Sequence, residues 1–540
     1  MNQLLNNLKF HKPFFKLNTA QIEILKDPVD FYVNLHKGIK NAQKRIVWST
    51  LYIGNGNMEE FLIESLSNQQ RRFEQLRISL LMDYYRGTRR DKKNHQTPID
   101  HYLYLRMQNL YSNNMKLGLM RHPFLPQFAN MLEESAAREI FNVHHMKWYI
   151  FDNRVILTGA NLQEQYFINR QDRYMVFHEA NELADYLDDA QSALLQHAYY
   201  VDFDSNSKFD PLRAQPFKRQ QYFKEFHQTW KIFKFSYKEA AEIKSDDEEY
   251  QEQQQEKVQK QEEDNNNNIK QEQEQEQEEE LSKEEMLQFY ERDLIVEQKI
   301  QERKEQAKLI LNKSFNKGDV QNIINRLEKA LYKDEERELD EGEECTVLIT
   351  LHIPYLQTDE DKLVFMKILE NLDQFTSVTW ASGYMNFTKT IINFVNNCKT
   401  DIKFITASPE ANGFHKAGKA KSFIPFLYRY FELAIDKPIF EYKRNGWTFH
   451  TKGFWAELQD GSIMTIIGSS NYAVRSEKRD NEIQAYIFTQ CPMFKQDLKK
   501  EQNYLLNYAE NITKEEIIKD NEIKINWKIK LLSKIFKSMM

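Results

Sequence analysis

The feature that most constrains this chain is a pattern written twice. The first copy reads His145-Met146-Lys147, then Gly159-Ala160-Asn161, then Asp172. The second reads His450-Thr451-Lys452, then Gly468-Ser469-Ser470-Asn471, then Glu482. In both copies the acid follows the Asn by 11 positions. Between Lys and Gly each copy carries a β-rich run, Trp148–Phe151 with Val155–Leu157 in one and Ile463–Ile467 in the other. A lone His-x-Lys occurs by chance in many chains. Two copies with the same ordered sequel point to two related halves.

Alternation along a strand explains the pairing. Residues two apart point to the same side, so His145 and Lys147 face one pocket, as do His450 and Lys452. His144 then points the other way, towards a packing or capping role. The combined set suits chemistry on an anionic phosphodiester. Two ammonium groups and the amides of Asn161 and Asn471 hold its non-bridging oxygens. One imidazole attacks phosphorus and forms a phosphohistidine. The other protonates the leaving oxygen and then takes a proton from the acceptor. Asp172 and Glu482 would each bind a histidine ring nitrogen and fix its tautomer. The scheme requires no metal or other cofactor, because the lysines supply the positive charge.

The surrounding texture is α/β. A helix is expected over 27–42, with Phe31, Leu35 and Ile39 near four-residue spacing. A strand follows over 44–53, a helix over 58–70 and a strand over 76–82. This strand–helix–strand order predicts a sandwich with a mainly parallel central sheet. Strands recur over 345–351, 378–384 and 401–407. At 540 residues, two lobes are expected rather than one core. Between them, residues 238–310 are rich in Gln, Asn and Glu and poor in apolar side chains, which predicts a disordered insert or a regulatory binding segment. Residues 245–285 hold 17 acidic and 4 basic side chains, a net −13 that hides a body of +6 under the overall −7. That mild basic excess suits an anionic substrate or membrane surface and is too small to argue for nucleic acid alone. Three widely spaced cysteines suggest no disulfide framework.

The duplicated pattern resembles that of the phospholipase D superfamily, whose motif is written HxKxxxxD followed by GSxN. His145, Lys147 and Asp152 fit its first part. Glu457 stands where the second half would carry that Asp, and Gly159-Ala160-Asn161 is one residue shorter than GSxN. Both departures are similar to those of the eukaryotic phosphatidylglycerophosphate synthases. So are the blocks at 143–147, 157–162, 166–174, 406–414, 447–453, 467–471 and 475–480. The resemblance implies two phospholipase D-like α/β/α lobes, over 28–237 and 311–520, related by a pseudo-twofold axis. It implies catalytic roles for His145, Lys147, Asp152, His450 and Lys452, with His145 the nucleophile and His450 the acid, then base. The residues alone leave that order open. It further implies CDP-diacylglycerol and glycerol-3-phosphate as substrates, and a peripheral place on the mitochondrial inner membrane. A hydrolase or nuclease that passes the phosphoryl group to water is the competing enzymatic reading. A binding module that has lost catalysis is disfavoured by two intact His-Lys pairs.

Basic residues near the motifs are further candidates. Arg86, with Arg89 and Arg90, follows the strand over 76–82. Arg170 and Arg173, with Arg475 and Arg479, form a second set. They either grip a substrate phosphate or pair with Asp172 and Asp480 as scaffold. His415 lies in a basic Gly-containing loop, a substrate contact or plain surface. Trp48 and Trp380 are expected in the core. The first 27 residues read as a mobile leader or a transit peptide. No run of about 18 uncharged apolar residues exists. Residues 525–540 form a basic amphipathic pattern that suits either an anionic membrane interface or docking on the protein itself.

Overall fold

The computed structural model describes residues 1–8, 13–89, 114–121, 142–200, 228–231, 233–234, 326, 342–356, 358–415 and 423–524. The chain divides into two compact units, Met1–Trp230 with Arg326–Met540, and Lys231–Asn325. Both lobes below belong to the first unit. The acidic insert expected over 238–310 and the basic pattern over 525–540 lie outside the described residues.

In chain order the strands are β1 (Phe14–Asn18), β2 (Ile22–Leu25), β3 (Arg45–Thr50), β4 (Arg77–Asp83), β5 (Met115–Met120), β6 (Trp148–Phe151), β7 (Arg154–Thr158), β8 (Arg170–Gln171), β9 (Tyr174–Phe177) and β10 (Tyr199–Tyr200). After the insert come β11 (Glu344–His352), β12 (Phe375–Ser382), β13 (Asp401–Ala407), β14 (Ile439–Tyr442), β15 (Thr448–Phe449), β16 (Lys452–Leu458), β17 (Ile463–Gly468), β18 (Glu482–Thr489) and β19 (Ala509–Ile512). One sheet runs β10-β5-β4-β3-β6-β7-β9-β2 and the other β19-β14-β13-β12-β16-β17-β18-β11-β1. Read this way the two orders match strand for strand, with β1 as an added edge.

Neighbouring residues on the motif strands show why helices cover both faces. Tyr149 meets Phe31 of the helix Pro28–Asn41 at a ring distance of 5.6 Å. Its neighbour Trp148 donates from Nε1 to Gln191 of the helix Asn181–Leu195. In the second lobe Phe454 packs on Phe365 of the helix Glu360–Glu370. Trp455 donates to Glu501 of the helix Pro492–Leu506. Successive strand residues point to opposite faces, so each sheet is the middle layer of a sandwich. Trp48 and Trp380 are buried in the two cores, as expected.

The sheets are mixed rather than mainly parallel. β3, β4 and β5 pair in parallel, as do β12, β13 and β14. From β6 and β16 onward the pairing is antiparallel. The reason is the connection: a parallel step needs a long crossover, whereas β6 and β7 are joined by residues 152–153 alone.

Asp152 occupies that hairpin with φ of 51°, a region that favours Asn, Asp and Gly. Its carboxylate accepts the backbone N–H groups of Gln43, Lys44 and Arg45, each at 2.8 Å. It stands at the far end of β6 from Lys147, about 16 Å along the strand. The expected catalytic role is therefore corrected to a structural one, in which Asp152 ties the hairpin to the start of β3. Its counterpart Glu457 makes surface ion pairs with Lys495 and Lys499.

The first 27 residues also depart from expectation. β1 pairs with β11 in the second lobe, and β2 pairs with β9 in the first. Leu4 and Leu8 of the helix Asn2–Leu8 are buried in the second lobe's core, where they contribute on the order of 3–6 kcal/mol together. Where a mobile leader or a transit peptide was expected, the described residues 14–18 and 22–25 instead belong to the two sheets.

Replacing Asp152 with Ala should lower unfolding stability by about 3 kcal/mol, from lost charge-assisted bonds and left-handed backbone strain. Asp152→Asn, which keeps one acceptor and tolerates that backbone, should cost less than half as much. Urea unfolding midpoints of the two variants test the order, and equal losses would contradict it.

Candidate active site

Each motif histidine is positioned by the opposite lobe. His145 N–H donates to Asn481 O, and Asn481 N–H donates to Val143 O, at 2.9 and 3.0 Å. In the mirror arrangement β15 pairs with β8, and His450 N–H donates to Gln171 O at 2.8 Å. In each case the residue after the pairing carbonyl is the late acid. Asp172 therefore meets His450, with Oδ2 2.6 Å from Nδ1. Glu482 meets His145, with Oε2 2.9 Å from Nδ1. The pairing is crossed: the acid of each copy holds the histidine of the other.

Alternation holds within each motif. His144 points away, with Nε2 2.8 Å from Ser49 Oγ, and its backbone N–H donates to Asp83 Oδ2. Lys147 and Lys452 are fully buried, and each Nζ donates to the carbonyl of its own histidine at 2.6 Å. The two copies share one site. The charge of Lys452 reaches His145, and the charges of His145 and Lys147 reach His450.

Burial sets the protonation states. It pushes both imidazoles well below their ordinary value, and the neighbouring lysines push in the same direction. Both rings are therefore neutral at pH 7. With Nδ1–H given to the acid, Nε2 is left with a lone pair. Burial also lowers Lys147 to about 7 and Lys452 to about 8, against the pull of the carboxylates. It raises Asp172 to about 6, opposed first by Lys452, and raises Glu482, opposed first by Lys147. A cluster in this state gains from the arrival of an anion, which restores full charge to both lysines.

The turns after β7 and β17 bring the amides in. A Cβ at Gly159 would stand 2.8 Å from Asp172 Oδ1 and 2.9 Å from Lys452 Cδ. Only a glycine lets this turn approach the crossed pair. Asn161 Nδ2 donates to Tyr166 Oη, while the Oδ1 atoms of Asn161 and Asn471 are buried without partners. Ser469 Oγ, one residue after Gly468, donates to Glu482 Oε2.

The arginines divide. Arg173 is scaffold, with Nε and Nη2 donating to Glu501 at 2.8 Å each, Nη1 donating to Ile466 O, and the guanidinium over Trp455. Its expected substrate contact is corrected, and it clamps the first lobe to the second instead. Arg475 donates from Nε to Asp480 Oδ2 at 2.8 Å, the scaffold alternative. The backbone carbonyl of Arg479 accepts from Asn142 Nδ2. Arg86 lies 4.2 Å over the Tyr52 ring, in a short helix capped by Asp83. Arg90 lies outside the described residues. Two of the second set stand near a histidine: the charge of Arg475 reaches His145 and that of Arg170 reaches His450. Arg170 lies over Tyr166, and both Tyr166 and Tyr384 set their rings edge-on to His450 at 5.2 and 5.6 Å. Spacing does not pick out the two tyrosines: Tyr166 has Ser476 at the corresponding place, and Tyr384 matches Tyr52, each four residues after a core tryptophan and outside the His-x-Lys pattern. His415 is exposed at the margin of the described loop.

Replacing Arg173 with Leu strands the buried Glu501 carboxylate. A loss of about 3–5 kcal/mol in unfolding stability is expected. Chemical denaturation measures it, and a loss under 1 kcal/mol would remove the clamp from this account.

No protein-family model matches the chain. Curated proteins do. The mitochondrial CDP-diacylglycerol–glycerol-3-phosphate 3-phosphatidyltransferase of Gallus gallus is 25% identical, over 91% of this chain and 79% of its own. The Homo sapiens protein of the same name is 25% identical over 91% and 78%. The Saccharomyces pastorianus enzyme is 25% identical over 99% and 91%. Among solved structures, phosphatidylserine synthase of Haemophilus influenzae Rd KW20 superposes with a TM-score of 0.61 at 16% identity, covering 100% of this chain and 99% of that one. The chain is thus similar along most of its length to the curated CDP-diacylglycerol–glycerol-3-phosphate 3-phosphatidyltransferases and shares its two-lobed fold with the phosphatidylserine synthase.

Proposed function

We propose that this protein transfers the phosphatidyl group of CDP-diacylglycerol to glycerol-3-phosphate, giving phosphatidylglycerophosphate and CMP, on the route to phosphatidylglycerol and cardiolipin. The observation that carries this reading is the crossed pairing of two neutral imidazoles with acids of the opposite lobe through Nδ1, which turns Nε2 of each ring away from its acid; His450 Nε2 lies 3.2 Å from Lys452 Nζ and 3.4 Å from Tyr166 Oη. In the first half-reaction His145 Nε2 attacks the phosphatidyl phosphorus. The bond to the CMP oxygen breaks, and His450, which takes up a proton when the anionic substrate settles beside it, donates that proton to the leaving oxygen. In the second, His450 takes the proton of the acceptor hydroxyl. That oxygen attacks phosphorus, and the P–N bond to His145 breaks. Lys147 and Lys452, with the amides of Asn161 and Asn471, hold the non-bridging oxygens.

Curated relatives are named mitochondrial. Among the described residues, no helix is long and apolar enough to cross a membrane. We place the enzyme peripherally on the inner mitochondrial membrane, at an anionic surface, with no nucleic-acid partner.

The test is incubation with CDP-diacylglycerol and glycerol-3-phosphate in chelator, with product identification. CMP release that depends on the acceptor supports the transferase. Acceptor-independent release of CMP with phosphatidic acid supports the hydrolase reading instead. His145→Ala and His450→Ala should each lower turnover at least 1,000-fold, on the order of the loss when a nucleophile or its partner is removed. Turnover within tenfold of wild type in either variant would end the two-histidine mechanism.

The pH dependence of kcat/KM should be bell-shaped. Asp172, raised to about 6, must be ionised to hold His450, so the rate falls as pH drops through 6. Lys147 and Lys452, lowered to about 7 and 8, must be charged to receive the diester, so it falls again as pH rises through that range. In kcat the alkaline limb should move upward, because the bound anion restores the lysine charges. A kcat/KM that climbs steadily to pH 9 would contradict this assignment.

A further inference from the structure

The two copies match in position but not in charge, and one mismatch lies beside a histidine. Nine residues after Asn161 stands Arg170, and nine after Asn471 stands Asp480. Asp480 is satisfied within the protein, accepting from Arg475 Nε at 2.8 Å and from Val143 N–H at 3.1 Å. Arg170 is not satisfied in that way. Its Nη2 donates to a neutral hydroxyl, Tyr384 Oη, at 2.8 Å. Its Nε is buried with no hydrogen-bond partner. Among the described residues no carboxylate makes an ion pair with it. Asp172, the nearest acid on its own segment, is engaged by His450 and by the backbone N–H of Arg173.

The space around Arg170 is shaped as well as charged. Its guanidinium lies 4.7 Å over the Tyr166 ring, and Tyr166 and Tyr384 flank His450. On the far side is Gly413, where a Cβ would stand 2.7 Å from Arg170 Nη2 and 2.9 Å from Tyr384 Oη. Any side chain at 413 would crowd the planar fork. A fork with a buried, unpartnered donor, aimed from the wall of an anion site, is suited to a phosphate oxygen.

We infer that Arg170, Tyr384 and the Gly413 turn form a phosphomonoester subsite on the His450 side of the reacting phosphorus, used in turn by the departing CMP and the entering glycerol-3-phosphate. The inference rests on the transferase reading and adds to it the group that selects a phosphorylated acceptor. In an in-line displacement the leaving and entering oxygens occupy the same side of phosphorus, opposite the nucleophile. Both CMP and glycerol-3-phosphate are phosphomonoesters, so one cationic subsite serves both half-reactions. On the matching side, beside His145, Asp480 engages Arg475. A neutral acceptor such as glycerol, or water, draws nothing from this subsite.

The experiment uses the full chain with CDP-diacylglycerol in detergent micelles. It compares glycerol-3-phosphate with water as acceptor and measures glycerol-3-phosphate binding by calorimetry. Arg170→Gln should lower kcat/KM for glycerol-3-phosphate about 100-fold more than it lowers phosphatidic acid formation from water. CMP inhibition should weaken in parallel. Arg170→Lys, which keeps charge but loses the fork, should fall between wild type and Gln. Gly413→Ala should raise KM for glycerol-3-phosphate with a smaller change in kcat. Equal losses with both acceptors, or binding of glycerol-3-phosphate that ignores Arg170, would overturn the subsite while leaving the transferase standing. Arg170-dependent binding with no transfer in the wild type would overturn the transferase and keep the subsite.

Discussion

The crossed histidine–acid bonds are the constraint on which the rest of the molecule depends. Neither lobe contains a complete catalytic unit, because Asp172 holds His450 and Glu482 holds His145. Taking two lysines, two acids and two imidazoles out of water costs several kcal/mol for each charge. The cost is offset in part by mutual attraction, seen in the pull of Glu482 on Lys147 and of Asp172 on Lys452. The remainder is held in reserve as lowered lysine and raised carboxyl affinities for charge. An arriving anion relieves that reserve, so the cluster is preset to receive negative charge.

Duplication explains the geometry, and divergence explains why the two halves do different work. Backbone pairing is matched across the pseudo-twofold, with Gln171 receiving His450 and Asn481 receiving His145. Side chains around it are not matched. Tyr166 lies five residues after Asn161, and Ser476 lies five after Asn471. Tyr166 turns its ring to His450, whereas Ser476 Oγ accepts the backbone N–H of Asn471. The two-step transfer proposed above would need such inequality, with one imidazole bonding to phosphorus while the other only moves a proton.

Local features of this design were legible in the sequence, and non-local ones were not. The strand Asp401–Ala407 and the helix over Pro28–Asn41, capped by Asp27, follow from apolar period and capping chemistry. The shared facing of His145 with Lys147, and the outward turn of His144, follow from strand alternation. Which acid serves which histidine does not, since both spacings are equal and the choice is made by backbone pairing between lobes. Arg173 carries no signal that its partner is Glu501, 328 residues on. Asp152 fits a family motif by position, yet its carboxylate is spent on three backbone donors. The parallel sheet was over-read from its first three elements, because the hairpin at residues 152–153 has no Gly to announce it.

A site divided between two lobes works only if the lobes cannot drift. A misplacement of about 1 Å can cost on the order of 100-fold in rate. Three separate ties answer that demand. The paired backbones bring Val143–His145 to Asn481, and β15 to β8. The Arg173 fork, fully buried, bonds Glu501 and Ile466 across the interface. Ahead of the first lobe's helix, β1 joins one sheet and β2 the other. These ties differ in chemistry, so no single change of pH or salt loosens all three. Rigidity placed at the interface leaves the loops around His450 free to vary, and on the proposed reading the choice of acceptor would fall to those loops rather than to the two histidines.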